Sequence, residues 1–178
     1  MKIEINETIE IPEGINVDLS NNKIKLKKQD AELEKDIPNI PIKKQDNKLI
    51  INKKSATKND KKLIKTAISH IKNMIKGLDE KFTYKLQICS VHFPMTVEKK
   101  EKQIIVKNFL GEKKERKAKI LDNVDVKIDK EFVIIESTNK ESAGQTAANI
   151  ETATKVSNRD RRRFQDGIWM VSKDNKEI

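Results

Sequence analysis

Four arginines crowd into one short stretch, "NRDRRRFQDGIWM": Arg159, Arg161, Arg162 and Arg163. The only tryptophan, Trp169, follows shortly after, and the chain has just one other arginine, Arg116. Elsewhere the positive charge is carried by lysine. The planar guanidinium fork can grip a phosphate with two hydrogen bonds and can stack on a base, whereas lysine offers a point charge. A short basic run can also serve as a nuclear localisation signal. Here Asp160 interrupts that pattern, and the run continues into "FQDGIWM", whose apolar residues suggest docking onto a surface. A second basic segment, "GEKKERKAK", gathers Lys113, Lys114, Arg116, Lys117 and Lys119. Glu112 and Glu115 dilute it, so a solvated charged face and an RNA contact are both open for it.

Other chemistry is poorly supplied. No G-x-x-x-x-G-K-[ST], G-x-G-x-x-G or G-x-S-x-G occurs, and five glycines leave little material for a phosphate-cradling loop. Zinc needs about four Cys, His or carboxylate ligands. Cys89 and His92 form a lone C-x-x-H and would point to opposite faces of an extended strand; the other histidine, His70, lies in a predicted helix. Ser90 and His92 would share a strand face, but no neighbouring carboxylate in the sequence orients the histidine. Ser69 and His70 are helix neighbours that do not face each other. The expectation is no catalytic residue, no metal, no cofactor and no small-molecule substrate.

Bulk composition agrees with a polyanionic partner. The net charge is +10 and 37% of residues are charged, which points to nucleic acid first and an anionic membrane surface second. Apolar residues recur periodically, which argues against disorder. A single cysteine permits no internal disulfide and fits a reducing compartment. The N-terminus interleaves charged and apolar residues, unlike a signal peptide, and no apolar run approaches the roughly 20 residues of a membrane span. The expectation is a cytoplasmic protein. Aromatics make up only 4% of the chain, so a sheet that stacks single-stranded bases is not expected. Binding to the backbone and shape of folded RNA is.

The elements that must hold these residues are legible in part. "TIEIP", "INVDLS" and "KIKLK" alternate, placing Ile9 with Ile11, Ile15 with Val17 and Leu19, and Ile24 with Leu26 on single faces. "SNN" between the last two marks a tight turn, and "IPIKK" and "KLIIN" follow, joined by "QDN". This predicts an antiparallel sheet with one buried face. In residues 58–76, Ile64, Ala67, Ile68, Ile71, Met74 and Ile75 recur three and four apart, predicting a helix. Thr57 and Asp60 suit its start, and Gly77 suits a left-handed position after its end.

The second half repeats this order. "KFTYKLQICSVHF", "QIIVK", "VDVKID" and "FVII" predict strands, with Phe82, Tyr84, Leu86 and Ile88 facing one way. "SAGQTAANIETATKV" predicts a helix with Ala143, Ala147, Ile150 and Thr154 on its stripe and Ser142–Gln145 as capping box. Pro12 aligns with Pro94, Ile24–Leu26 with Ile104–Val106, and Leu49–Ile51 with Val133–Ile135. Similar offsets suggest two copies of one small α+β domain, each a mainly antiparallel sheet covered by one helix. The expected domains are residues 1–78 and 79–178, the second carrying the arginine-rich segment.

Several stretches resemble a known family. "IKNMIKGLDEKFTYKLQICSVHFPMTV", "VKNFLGEKKERKAKIL", "NRDRRRFQDGIWM" and "IPEGINV" are similar to segments of the large-subunit ribosomal protein six (L-six) family, in its archaeal and eukaryotic branch. The resemblance implies two tandem domains of similar fold and binding to 23S-type rRNA beside neighbouring large-subunit proteins. It implies that the second domain lies near the sarcin–ricin loop, where translational GTPases dock. By the same resemblance, Arg159, Arg161, Arg162 and Arg163 contact rRNA, Gly167 and Trp169 shape that segment, and Lys113–Lys119 join the contact. An accessory RNA-binding assembly factor is the alternative expectation.

Overall fold

A computed structural model of the chain describes residues 3–20, 23–29, 31–38, 40–45, 47–174 and 176–178. The chain separates into two compact units, Met1–Glu80 and Lys81–Ile178. The fold is α+β. The "SNN" and "QDN" turns fall partly outside the described residues, at 21, 22 and 46.

In the first unit β1 (Ile3–Glu10) pairs antiparallel with β6 (Lys48–Ala56), which also pairs with β5 (Ile42–Gln45). A separate meander is formed by β2 (Asn16–Ser20), β3 (Lys23–Lys28) and β4 (Ala31–Asp36). Helix α1 (Lys58–Asp79) contacts β1, β3 and β6, so it lies against both sheets. Ile24, Leu26, Leu49, Ile51, Ile64 and Ile71 are fully buried in one core. Each such side chain contributes about 1.5–3 kcal/mol on leaving water. Of the predicted Ile15, Val17 and Leu19 face, Leu19 emerges exposed at the end of the strand.

The second unit repeats the scheme. β7 (Phe82–Cys89) pairs with β12 (Phe132–Ser137), which pairs with β11 (Asp125–Asp129). The meander is β8 (Thr96–Lys100), β9 (Gln103–Lys107) and β10 (Arg116–Lys119). Helix α2 (Lys140–Ala153) contacts β7, β10 and β12. The aligned residues take equivalent places. Ile24 and Leu26 sit in the centre of one meander, Ile104 and Val106 in the centre of the other. Leu49 and Ile51 lie in β6, and Val133 and Ile135 in β12, each the middle of its three strands. The buried stripe of α1 (Ile64, Ala67, Ile68, Ile71) is matched on α2 by Ala143, Thr146, Ala147 and Ile150. Beyond the repeat, β13 (Gly167–Lys173) adds to the free edge of β7, and β14 (Lys176–Glu177) adds to β13.

Two helix ends differ from expectation. Thr57 and Asp60 do form a reciprocal capping box, with Thr57 N donating to Asp60 Oδ2 at 2.8 Å and Asp60 N to Thr57 Oγ1 at 3.3 Å. Gly77, however, is buried inside α1 rather than left-handed beyond it. Leu78 continues the apolar stripe onto the core, so the helix gains by running one more turn. On α2 the cap is Asn139, not Ser142. Asn139 Oδ1 accepts from Glu141 N at 2.9 Å and Ser142 N at 3.5 Å. Ser137 Oγ accepts Asn139 N at 3.1 Å and donates to Asn123 O at 2.6 Å, which starts the helix earlier.

Strands β4, β8, β10, β13 and β14 are the elements that periodicity did not reveal. In β4 only Leu33 is buried, and its pairing to β3 is matched by exposed ion pairs such as Lys23–Glu34 (2.7 Å) and Lys25–Glu34 (2.9 Å). A strand with one apolar residue carries little alternation to read.

Candidate nucleic-acid interface

The arginine cluster sits on the loop between α2 and β13. Its base is closed by buried hydrogen bonds. Thr154, buried at the end of α2, accepts Ile168 N on its Oγ1 at 3.0 Å. The two ends of the loop are thereby tied, and Ile168 is fully buried against the core. The apolar run in "FQDGIWM" therefore docks onto the protein's own sheet, through β13 pairing with β7.

Above this base the residues Ser157 to Arg163 are exposed. Asp160 organises the tip. Its backbone oxygen accepts Arg163 N (3.1 Å) and Phe164 N (2.9 Å), and its Oδ1 accepts Arg162 N at 3.0 Å. The carboxylate also pairs with the Arg162 guanidinium at 3.2 and 3.1 Å, which holds Asp160 below the usual aspartate range. The Arg162 side chain is 92% exposed. An ion pair this open contributes little and is readily exchanged for a phosphate. Asp160, an apparent interruption in the basic run, is thus the residue that turns it.

Two aromatic rings carry arginines. The Arg161 guanidinium lies over the Trp169 ring at 5.6 Å, and that of Arg159 over the Phe164 ring at 4.8 Å. Trp169 folds back on its own unit, its indole N–H donating to Gln165 O at 3.0 Å. Gly167 makes this possible. Its φ of +156° suits glycine, and a Cβ there would meet the indole at 3.0–3.1 Å. Gly167 and Trp169 thus form the mount for Arg161.

Behind Phe164 lies a contact that sequence spacing did not suggest. The His92 ring stacks on Phe164 with centroids 4.7 Å apart, and His92 Nδ1 is 2.6 Å from Asp166 Oδ2. The expectation that no carboxylate orients His92 is corrected: Asp166, remote in sequence, is brought to it when β13 pairs with β7. Asp166 Oδ1 also accepts the backbone N–H of Val91 (2.8 Å) and His92 (2.9 Å), and its side chain is 3% exposed. Burial pushes this carboxyl upward, but the hydrogen bonds from His92 and Val91 outweigh it and hold it below the ordinary value. Nδ1 is therefore the donor to an ionised carboxylate. His92 also lies past the end of β7, so it and Cys89 are not two positions of one strand. Cys89 is half-buried, and burial, with Asp166 nearby, pushes its thiol up.

The second basic segment divides by role. Arg116 is turned inward. Its Nε and Nη2 donate to Glu112 at 2.8 and 2.6 Å, its Nη1 donates to the carbonyls of Ala153 (3.0 Å) and Lys155 (3.1 Å), and the guanidinium covers the Phe109 ring at 4.2 Å. It neutralises the carbonyl end of α2 and fixes the start of the arginine loop. The Arg116 pair holds the Glu112 carboxyl below its usual range. Lys113, Lys114, Lys117 and Lys119 are exposed. Among the described residues no group of His, Cys, Asp and Glu could hold a metal ion, and no helix is long and apolar enough to cross a membrane.

This arrangement presents exposed guanidinium and ammonium groups, those of the arginine loop on a base tied by hydrogen bonds, a geometry for binding phosphates. The family model described as Ribosomal protein L6 matches residues 93–167, which include Lys113–Lys119 and the four arginines of the loop but not Trp169. The chain is 46% identical to the large ribosomal subunit protein uL6 of Methanococcus vannielii, over 98% of this chain and 97% of that protein. It is 41% identical to the large ribosomal subunit protein uL6 of Sulfurisphaera tokodaii, over 97% and 94%. With similarity of this extent over nearly the whole chain, and all five arginines inside the matched region, the chain belongs to the ribosomal protein L6 family.

Proposed function

We propose that this protein is a structural, non-catalytic constituent of the large ribosomal subunit, in the cytoplasm, and that its second unit grips 23S-type rRNA with the loop after α2. The observation that carries this reading is the mounted arginine tip. Arg159, Arg161, Arg162 and Arg163 are exposed, while Thr154 and Asp166 anchor the loop below them. Holding the guanidiniums in place before binding lowers the ordering cost of each phosphate contact. Lys113, Lys114, Lys117 and Lys119 are exposed on the segment that Arg116 joins to the start of the loop, and in this reading they add phosphate contacts. Arg116, Gly167 and Trp169 support the contact by holding it in shape, and Arg116 does so from inside the unit.

The finer placement follows the resemblance to the family. In this reading the second unit lies near the sarcin–ricin loop and the docking region of translational GTPases, with other large-subunit proteins alongside. The test is salt dependence. The affinity of the full-length protein for large-subunit rRNA should fall steeply with salt, and replacing Arg161, Arg162 and Arg163 with Ala should lower the slope's magnitude by roughly 0.7–0.9 per lost phosphate contact. A triple variant with wild-type affinity and slope refutes the arginine loop as the contact. Retention on the large subunit through a high-salt gradient distinguishes a constituent from an assembly factor, which washes off.

A further inference from the structure

The loop "SVHFPM" between β7 and β8 has no part in the phosphate grip, yet the structure holds it firmly. Asp166 spends both oxygens on it, accepting two backbone N–H groups and the His92 ring. Asn108 Nδ2 donates to Pro94 O at 2.9 Å on its other side. What this fixed loop displays is apolar. Val91 is 74% exposed and Phe93 47% exposed, and among the described residues of this unit the only other exposed large hydrophobic is Ile178.

One arginine stands close by. His92, between these two residues, stacks on Phe164, and Phe164 carries Arg159. On the far side, a Cβ on Gly111 would lie over one face of the Phe93 ring, 3.7–3.8 Å from its outer carbons. Gly111 has a φ of +79° and precedes Glu112, whose carboxyl is lowered by Arg116 first and also by the charge of Arg159. The Phe93 ring therefore rests one face on Gly111 and is half exposed, on a loop tied to the arginine loop through Asp166.

We infer that Phe93, flanked by Val91, is a stacking site for an unpaired nucleobase of the RNA whose backbone the arginines hold. The inference rests on the proposed RNA grip and narrows its ligand: a folded RNA with a base outside the duplex stack, rather than a continuous A-form helix. Two side chains are too small a patch for a stable protein interface, which needs roughly 800 Å² per partner. They match one base, whose π-face stacks on an aromatic ring without sequence preference. Arg159, reached through His92 and Phe164, suits a phosphate next to that base and does not suit an apolar protein surface.

The test uses the full-length protein with two probes, a large-subunit rRNA transcript and a fully paired RNA duplex, titrated across a range of salt concentrations. Phe93→Ala should weaken binding to the transcript by roughly 5- to 150-fold, with the salt slope of the wild type. Phe93→Trp should restore it, and binding to the duplex should not change. An exposed ring leaves the fold unaffected, which the thermal transition of the variant checks. Wild-type affinity of Phe93→Ala for the transcript overturns the inference, and if the variant is then impaired only in joining assembled particles, the face meets protein. Equal losses on transcript and duplex also overturn it. The arginine triple variant separates the two ideas. If it keeps the wild-type slope, the RNA grip itself fails; if it loses slope while Phe93→Ala binds normally, only the stacking site fails.

Discussion

Asp166 and His92 lie 74 positions apart and meet at 2.6 Å, and through that contact the arginine loop and the loop before β8 become one body. The same carboxylate holds the backbone of Val91 and His92. Replacing Asp166 with Ala takes the acceptor from these donors in a partly buried place. The expected loss is about 3 kcal/mol of unfolding free energy, read by urea denaturation with Trp169 fluorescence, which reports the second unit.

Protonation should act on the same group. The folded-state carboxyl of Asp166 is held below its ordinary value. Its stabilising contribution is therefore present above the unfolded value, near pH 4, and is lost as pH falls through the folded one. Asp166→Asn should be less stable than wild type at neutral pH, and the gap should narrow below about pH 4. A gap that stays constant from pH 7 to pH 2 means the carboxylate charge plays no part in the clamp.

Arg116 separates stability from binding. Its guanidinium serves Glu112, Ala153 and Lys155 together. Arg116→Ala should lower unfolding free energy by about 1–3 kcal/mol, with Lys a poor substitute because it lacks the fork. At temperatures where the variant is folded, the salt slope for rRNA should match wild type. By contrast, changing Lys113, Lys114, Lys117 and Lys119 to Gln should reduce the slope and leave the thermal transition in place.

Gly167→Ala puts a methyl group against the indole at about 3 Å, in a backbone conformation that only glycine takes easily. Trp169 must move away and release both Gln165 O and Arg161. The expected outcome is a red-shifted tryptophan emission and a stability loss of about 1–3 kcal/mol.

Thr154→Val keeps the shape of a buried side chain but removes the acceptor for Ile168 N. It should cost about 1–3 kcal/mol and speed amide exchange at Ile168 before the rest of β13. Unchanged exchange there shows that the loop base is held by packing of Ile168 alone.

Features that local chemistry dictates are legible in the residues alone. The α1 stripe, the Thr57–Asp60 box, the duplicated order of strands and helix, and the identity of the arginine cluster follow from residue types at short spacing. Periodicity and capping act over a few residues. The exceptions obey the same logic. β4 was silent because Leu33 is its one buried residue, and the end of α1 moved past Gly77 because Leu78 found a place in the core. The roles within the basic segments come from packing between distant parts of the chain. Arg116 and Arg162 look alike in the sequence, but one is half-buried and bonded to the carbonyls of a helix end, and the other is open to solvent. Asp166 looks like a loop aspartate until β13 pairs with β7 and delivers it to His92. Those outcomes depend on which strand edges meet, and pairing between distant strands is set by the whole core rather than by neighbouring residues.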